Sequence, residues 1–281
     1  MEKIIFVLQA SKPYLLVRSS LLVIYLKLNK LYTLHINKYY YNAANYADSF
    51  LSNVPKSDTA VLKKAEEVIY IFWTGNNEIS EGRLKGINSL REKSEVKVIL
   101  ITPDNLKCYI LEDYPLHPAF SFLSMVHKSD YLRCYFMMHH GGGYSDIKPC
   151  LRSWKSLFNT LNSRDDKWCL GVREKYVGGV PDIKGFIGAD IKKYHNYLIA
   201  NGAFIYKPHS PIVAEWINEI HNRLDSLLPN VIKNQGDQYG SGDYPVPWSY
   251  IMAQIMHPLI LKYSERVIYL DSELYSTENY R

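Results

Sequence analysis

Asp130 and Arg133 stand three residues apart in KSDYLRCYFMMHH, a stretch with helical spacing that runs into Gly141-Gly142-Gly143. On a helix that spacing puts a carboxylate and a planar guanidinium on one face, able to present an acceptor and a donor fork to one ligand. The same two residues on an open helix surface would make an ordinary ion pair. What sets them apart is the triple glycine, which stops the helix and removes side chains where the chain must turn sharply or let a ligand approach. The glycines match neither the GxGxxG spacing of a dinucleotide site nor the GK[ST] ending of a phosphate loop. His139 and His140 fall at the helix C-terminus, where partial positive charge is favourable, and read as structural. Beyond the glycines, Tyr144-Ser145-Asp146-Ile147-Lys148 reads as a short extended piece.

These residues need a scaffold, and the flanking sequence supplies an α/β one. Val68-Ile69-Tyr70-Ile71-Phe72-Trp73 is a continuous apolar run ended by Thr74-Gly75-Asn76-Asn77, and Val96–Thr102 is a second run stopped by Pro103. Between them Ser80–Lys93 has helical spacing. Strand, helix, strand indicates a mostly parallel sheet flanked by helices, and the loop after the first strand then lies in the crevice where such sheets bind ligands. A helix is expected over 120–140, further strands over 168–172, 202–206 and 266–270, and a helix over 211–228. Two long loops, 177–190 and 234–247, read as binding loops or lids.

At 281 residues the chain has room for one large domain and an appendage. We divide it into a helical N-terminal extension, 1–65, and a main domain, 66–281. Residues 14–36 mix helical spacing with β-branched residues, 38–52 read as a second helix, and 53–58 as a polar linker. The apolar stretch 4–26 contains Lys12, Pro13 and Arg18 and has no clean run near the roughly 20 residues a membrane span needs. The expectation is a soluble, cytoplasmic protein whose first segment can lie against a membrane periphery. With 47% hydrophobic and 22% charged residues the chain is neither disordered nor fibrous. A net charge of +5 without a compact Lys/Arg cluster favours anionic ligands but not nucleic acid. The four cysteines show neither CxxC nor Cys/His metal spacing.

Taken together, a strand ending in Trp-Thr-Gly, then Ser129-Asp130-x-x-Arg133, then Gly142-Gly143-Tyr144-x-Asp146 resembles the DXD-containing GT-A glycosyltransferases. That group takes in yeast-type mannosyltransferases, capsular-polysaccharide transferases and glucosylating toxins. The resemblance spans roughly residues 68–270 and implies a GT-A, Rossmann-like fold and a nucleotide-sugar donor, a UDP-sugar by preference. By the same resemblance Trp73 stacks on the base, and Thr74 and Gly75 belong to the donor-binding residues. Asp130 and Arg133 hold the donor sugar and phosphates, and Tyr144 and Asp146 flank ribose, sugar and metal. Asn201 and Gly202 line the donor sugar, and Gly240-Ser241-Gly242 with Tyr244-Pro245 lies near the leaving group. The implied acceptor is a glycan or glycoconjugate hydroxyl, and retention is favoured over inversion.

The departure from the pattern is Lys148. Residues two apart in an extended segment point the same way, so the family motif places two carboxylates on one side, the second holding Mn²⁺ or Mg²⁺ on the diphosphate. An ammonium there removes an oxygen ligand and adds a like charge. Three outcomes follow. Lys148 contacts the diphosphate itself; or it points away while Asp146 holds a metal with a loop carboxylate, Asp237 or Asp243; or the site is a catalytically inactive sugar- or nucleotide-binding scaffold. An inverting enzyme would also need a base near the acceptor, for which Asp237, Asp243, Asp182 and His209 lie in or near loops. On the transferase reading, Asp146→Ala is expected to abolish sugar transfer, followed as release of nucleoside diphosphate from the donor; transfer at more than a few per cent of the native rate would refute the assignment.

Overall fold

Val68-Ile69-Tyr70-Ile71-Phe72 is apolar at every position, and in the computed structural model, which describes residues 12–52 and 63–278, it is the strand β1 (Val68–Phe72), buried throughout. Ile69 and Ile71 turn to one face, where Leu90, Trp154, Phe158, Leu170, Ala203 and Ile205 join them. Tyr70 and Phe72 turn to the other, and both rings meet Phe136 edge-on, at 4.8 and 5.1 Å between centroids. A strand covered on both faces has no reason to alternate, which accounts for the unbroken apolar run.

The remaining strands are β2 (Lys97–Ile101), β3 (Gly142–Ser145), β4 (Cys169–Arg173), β5 (Ile199–Tyr206) and β6 (Val267–Leu270), in the spatial order β2-β1-β3-β5-β4-β6. β1 pairs in parallel with β2 and β3, and β4 with β6, while β5 runs antiparallel to β3 and β4. The described helices are α1 (Lys12–Leu31), α2 (Glu81–Lys93), α3 (Met125–His139), α4 (Lys155–Asn162), α5 (Gly185–Lys193), α6 (Pro211–Lys233) and α7 (Ala253–Lys262). Helices α2 and α4 cover the face of Ile69 and Ile71; α3 and α6 cover the opposite face through Phe136 and Trp216. The expected α/β class with a mostly parallel, helix-flanked sheet is what the chain adopts.

Local chemistry moved several boundaries. The expected helix over 120–140 is a 3₁₀ turn, Pro118–Phe122, followed by α3, because the Ser124 hydroxyl accepts the His127 N–H and caps a new start. Helix α6 continues past Pro229 to Lys233, five residues beyond its expected end at 228. The last six residues of the expected loop 177–190 belong to α5, whose two glycines had read as loop. Helices α4 and α7 were not foreseen. At the triple glycine, Gly141 and Gly142 take φ of +68° and +89°, and a Cβ on Gly142 would lie 2.9 Å from the Val68 carbonyl oxygen. The left-handed pair turns the chain from α3 directly into β3 beside β1.

The chain divides into two compact units, the first ending at Tyr40 and the second starting at Tyr41. In the first, α1 leads into a wide turn at Tyr32–Ile36, and Leu21, Leu22, Ile24, Tyr25, Leu28 and Leu31 are exposed. Among the described residues no helix is long and apolar enough to cross a membrane. Residues 41–52 belong to the second unit and do not form the expected helix. Asn42 accepts the Ala44 N–H and the Ser49 hydroxyl donates to the Tyr46 carbonyl, local bonds that compete with a helical ladder and leave only a 3₁₀ turn at Ala43–Tyr46. The expected linker, 53–58, lies outside the described residues.

His257 of α7 is fully buried, and burial holds its imidazole down to about 4. Because the folded value lies below the unfolded one of about 6.5, the neutral ring contributes stability above pH 6.5 that is lost as pH falls toward 4. The unfolding free energy from urea titration is expected to drop across that window, by on the order of 3 kcal/mol for this group. His257→Leu is expected to flatten part of the slope; the same slope in both proteins would refute the assignment.

Candidate functional site

Both β1 and β3 run toward one edge of the sheet, and β5, being antiparallel, begins there. Ser145 pairs with Ala203, and the Asp146 N–H donates to the Gly202 carbonyl at 2.7 Å. Chain reversal at β5 is therefore what sets Asn201 and Gly202 beside Asp146. β4 ends at the same edge, with Arg173 opposite Ile199, as does its parallel partner β6. Past β6 the segment 271–278 returns across the edge: Tyr275 bridges to Cys150, the Leu151 N–H donates to Leu274 and the Ser276 N–H to Pro149.

The site is assembled on the Asp146 carboxylate. Oδ1 accepts the Tyr144 hydroxyl at 2.8 Å and lies 3.5 Å from Arg133 Nη2; Oδ2 accepts Lys148 Nζ at 2.8 Å. Arg133 also reaches back to Asp130, with Nη1 3.5 Å from Oδ1, and donates from Nη1 to the Asn201 carbonyl at 3.3 Å. Its guanidinium packs 4.4 Å over the Tyr144 ring, which is itself stacked on Phe72. The spacing of Asp130 and Arg133 thus does put them on one helix face, and that face meets Asp146. Tyr144 is buried, and with its hydroxyl committed to Asp146 it supports the carboxylate from beneath.

Electrostatics follow from this packing. Burial disfavours the charged form of Asp146, but the Arg133 guanidinium and the Lys148 ammonium outweigh it and hold the carboxyl below its ordinary range. Asp130 goes the other way: burial pushes it up against the pull of Arg133 and His127. Burial also pushes the Tyr144 phenol well up, so it remains a donor to Asp146. Among the described residues, Arg133 Nε and Asn201 Oδ1 are buried without a hydrogen-bond partner, and it is the Gly202 position, not the Asn201 side chain, that turns toward Asp146. A buried donor left unpaired costs roughly 1–3 kcal/mol, so a further hydrogen bond at Arg133 Nε would be favourable.

The loop after β1 has a different neighbour. Thr74 donates its hydroxyl to the Met125 carbonyl at 2.6 Å, and a Cβ on Gly75 would lie 2.6 Å from Met125 Sδ, so both residues fasten the loop to the start of α3. Trp73 is half-buried at the same sheet edge, its indole N–H donating to the Asn77 carbonyl at 2.8 Å.

Asp237 is corrected. Its Oδ1 accepts the N–H groups of Tyr239, Gly240 and Ser241, and Oδ2 accepts the Ser241 hydroxyl. The Ser241 hydroxyl above all, then these backbone donors, pull the carboxyl down to about 2. It is the organiser of an exposed turn, the commonest use of a loop aspartate. The loop around it caps α3, since Met125 and Val126 donate their N–H groups to the carbonyls of Asp237 and Gln238, and the Tyr244 hydroxyl accepts the Ser124 N–H at 3.1 Å. Of the other base candidates, Asp182 pairs with Lys192 on the surface, and Asp243 is exposed. His209 follows the far end of β5 and donates its N–H to Met138, at the edge opposite Asp146.

Two contributors went unforeseen. The Tyr275 ring centroid lies 4.2 Å from Lys148 Nζ, and Arg83 donates to the Ile147 carbonyl at 2.7 Å. No local motif marks either residue, because each acts across more than sixty positions of chain.

A divalent metal fits these residues poorly. Asp146 is a lone carboxylate with protein donors on both oxygens, and among the described residues no group of three His, Cys, Asp or Glu side chains is placed to hold a metal ion.

No family model and no curated protein matches the chain. Among solved structures, one described as "PaToxG Glycosyltransferase" is similar at 15% identity and a TM-score of 0.37, over 61% of this chain and 65% of that one. The match thus spans slightly less than two thirds of that chain, and at this distance it carries no argument about chemistry.

Arg133→Met, which leaves Asp130 and Asp146 without their shared cation, is expected to lower stability by about 3 kcal/mol in urea unfolding. Adding Asp130→Asn is expected to restore part of the loss. Equal losses in the single and double variants would refute the bridging role.

Proposed function

We propose that this protein is a glycosyltransferase that takes a sugar from a nucleotide-sugar, a UDP-sugar by preference, and transfers it to a glycan hydroxyl. The observation that carries the reading is the group Asp130, Arg133 and Asp146 at the carboxyl edge of the sheet, with the Asn201 carbonyl on Arg133 Nη1 and, among the described residues, no partner for the buried Arg133 Nε. A sugar is a ring of hydroxyls, each both donor and acceptor, and such a ligand suits a site that mixes carboxylates with a guanidinium. Trp73, half-buried at the same edge and oriented by its bond to Asn77, supplies the aromatic face for a base. The two cations at Asp146 suit an anionic donor.

In the transfer, the acceptor oxygen bonds to the anomeric carbon as the bond from that carbon to the phosphate oxygen breaks. The bonding pair leaves with the nucleoside diphosphate. With no carboxylate or histidine assigned as acceptor base, the hydroxyl proton goes to the departing phosphate oxygen, which corresponds to retention at the anomeric carbon. Arg133 and Lys148 stabilise the charge that develops on the leaving group, where preorganised cations act most strongly.

Incubation with UDP-glucose, UDP-galactose, UDP-N-acetylglucosamine, UDP-xylose and GDP-mannose is expected to release nucleoside diphosphate from one of them, UDP-linked by preference. Calorimetric binding of UDP without turnover of any donor would point to the non-catalytic sugar- or nucleotide-binding scaffold. Failure to bind UDP or GDP at all would overturn the nucleotide-sugar reading.

A further inference from the structure

Position 148 is where a cation is needed and where this chain supplies a covalent one. Nζ of Lys148 lies 2.8 Å from Asp146 Oδ2 and 4.2 Å from the centre of the Tyr275 ring, and its side chain is only 12% exposed. The backbone beneath it is held as firmly. Arg83 donates to the Ile147 carbonyl, and α2 approaches so closely that a Cβ on Gly86 would lie 3.1 Å from the Lys148 nitrogen. Tyr275 is delivered by the C-terminal segment, anchored on both sides by the Leu151–Leu274 and Ser276–Pro149 bonds. A carboxylate on one side and an aromatic face on the other fix an ammonium in place, and attraction to a ring face contributes about 0.5–2 kcal/mol. With Arg133 on the other oxygen, Asp146 holds two cations side by side.

A metal in such a site supplies fixed positive charge at the diphosphate, and charge does not require coordination. Both Asp237 oxygens already accept hydrogen bonds within their own turn. We propose that Lys148, seated between Asp146 and the Tyr275 ring, is the built-in cation of this site and takes the place of a divalent metal on the donor diphosphate, so that donor binding and transfer are metal-independent. This rests on the nucleotide-sugar reading above. Tyr275 enters as a positioning residue: it acts on the ligand through Lys148.

The test is calorimetric titration of the full chain with UDP, and with GDP in parallel, after stripping with EDTA, first in EDTA and then in excess MnCl₂. The expected result for the native chain is the same Kd in both buffers within a factor of about three, a difference under roughly 0.7 kcal/mol. Lys148→Ala is expected to weaken binding at least ten-fold in both. Lys148→Asp, which creates a carboxylate pair, is expected to bind in MnCl₂ and not in EDTA. Tyr275→Phe keeps the ring and is expected to bind as the native chain does, whereas Tyr275→Leu approaches Lys148→Ala; a merely structural role would not separate ring-keeping from ring-removing variants of equal melting temperature. Native binding that appears only with MnCl₂ would overturn the proposal while leaving the nucleotide-sugar reading standing. Absence of binding in both buffers would remove both. If the position 148 variants fail to fold, the comparison of buffers on the native chain still decides.

Discussion

A single carboxylate, Asp146, is the interaction on which the site depends. A charge taken from water is tolerated only when it is paired and hydrogen-bonded, and the partners of Asp146 come from its own stretch of chain, from α3 and from β5. Tyr144 reaches it from β3, Arg133 from α3 and Lys148 from the segment just beyond, while the Gly202 carbonyl of β5 accepts its backbone N–H. Each of these elements is already fixed by apolar packing of the sheet. The polar junction therefore adds little to the fold but determines how the elements align at the carboxyl edge, and an error in any one of them would leave a buried charge uncompensated.

The antiparallel strand β5 has a consequence out of proportion to its length. In a wholly parallel sheet the start of a strand lies at the edge opposite the ligand crevice. Reversing β5 carries Asn201 and Gly202 to the ligand edge and sends His209 to the far one. The same reversal explains why two groups only eight residues apart differ so completely in chemical opportunity. The loop around Asp237 shows a comparable division of labour. Its backbone carbonyls satisfy the first N–H groups of α3, which otherwise lack partners, and its carboxylate is consumed in shaping the turn that presents those carbonyls.

Much of the site was legible in the sequence because its signals are local. The i,i+3 spacing of Asp130 and Arg133 needs only a helix to be meaningful, and the triple glycine needs only the steric cost of a left-handed turn. The two-residue spacing of Asp146 and Lys148 was read on an extended chain, but the chain bends at Ile147 and Lys148, and the two side chains meet across that bend. The unbroken apolar run of β1 revealed a strand covered on both faces, whereas the second run forms β2, a largely half-buried strand at the end of the sheet. Where local signals conflicted, expectation went astray: tyrosines and alanines over 38–52 suggested a helix, but Asn42 and Ser49 bond to nearby backbone and stop it. Pro229 and the glycines of α5 read as breaks, yet tertiary packing carried the helices through them.

What the sequence by itself determined is the α/β class, the order of its main strands and the residues of the central motif, all properties of spacing and side-chain chemistry. Only the tertiary structure decided which carboxylates act together, that Asp237 belongs to its own turn, and that Tyr275, more than 120 positions from Lys148, supplies the ring against its ammonium. The physical reason is that such contacts depend on where strands are inserted and in which direction they run. No periodicity encodes that choice; it emerges when the whole sheet is packed at once.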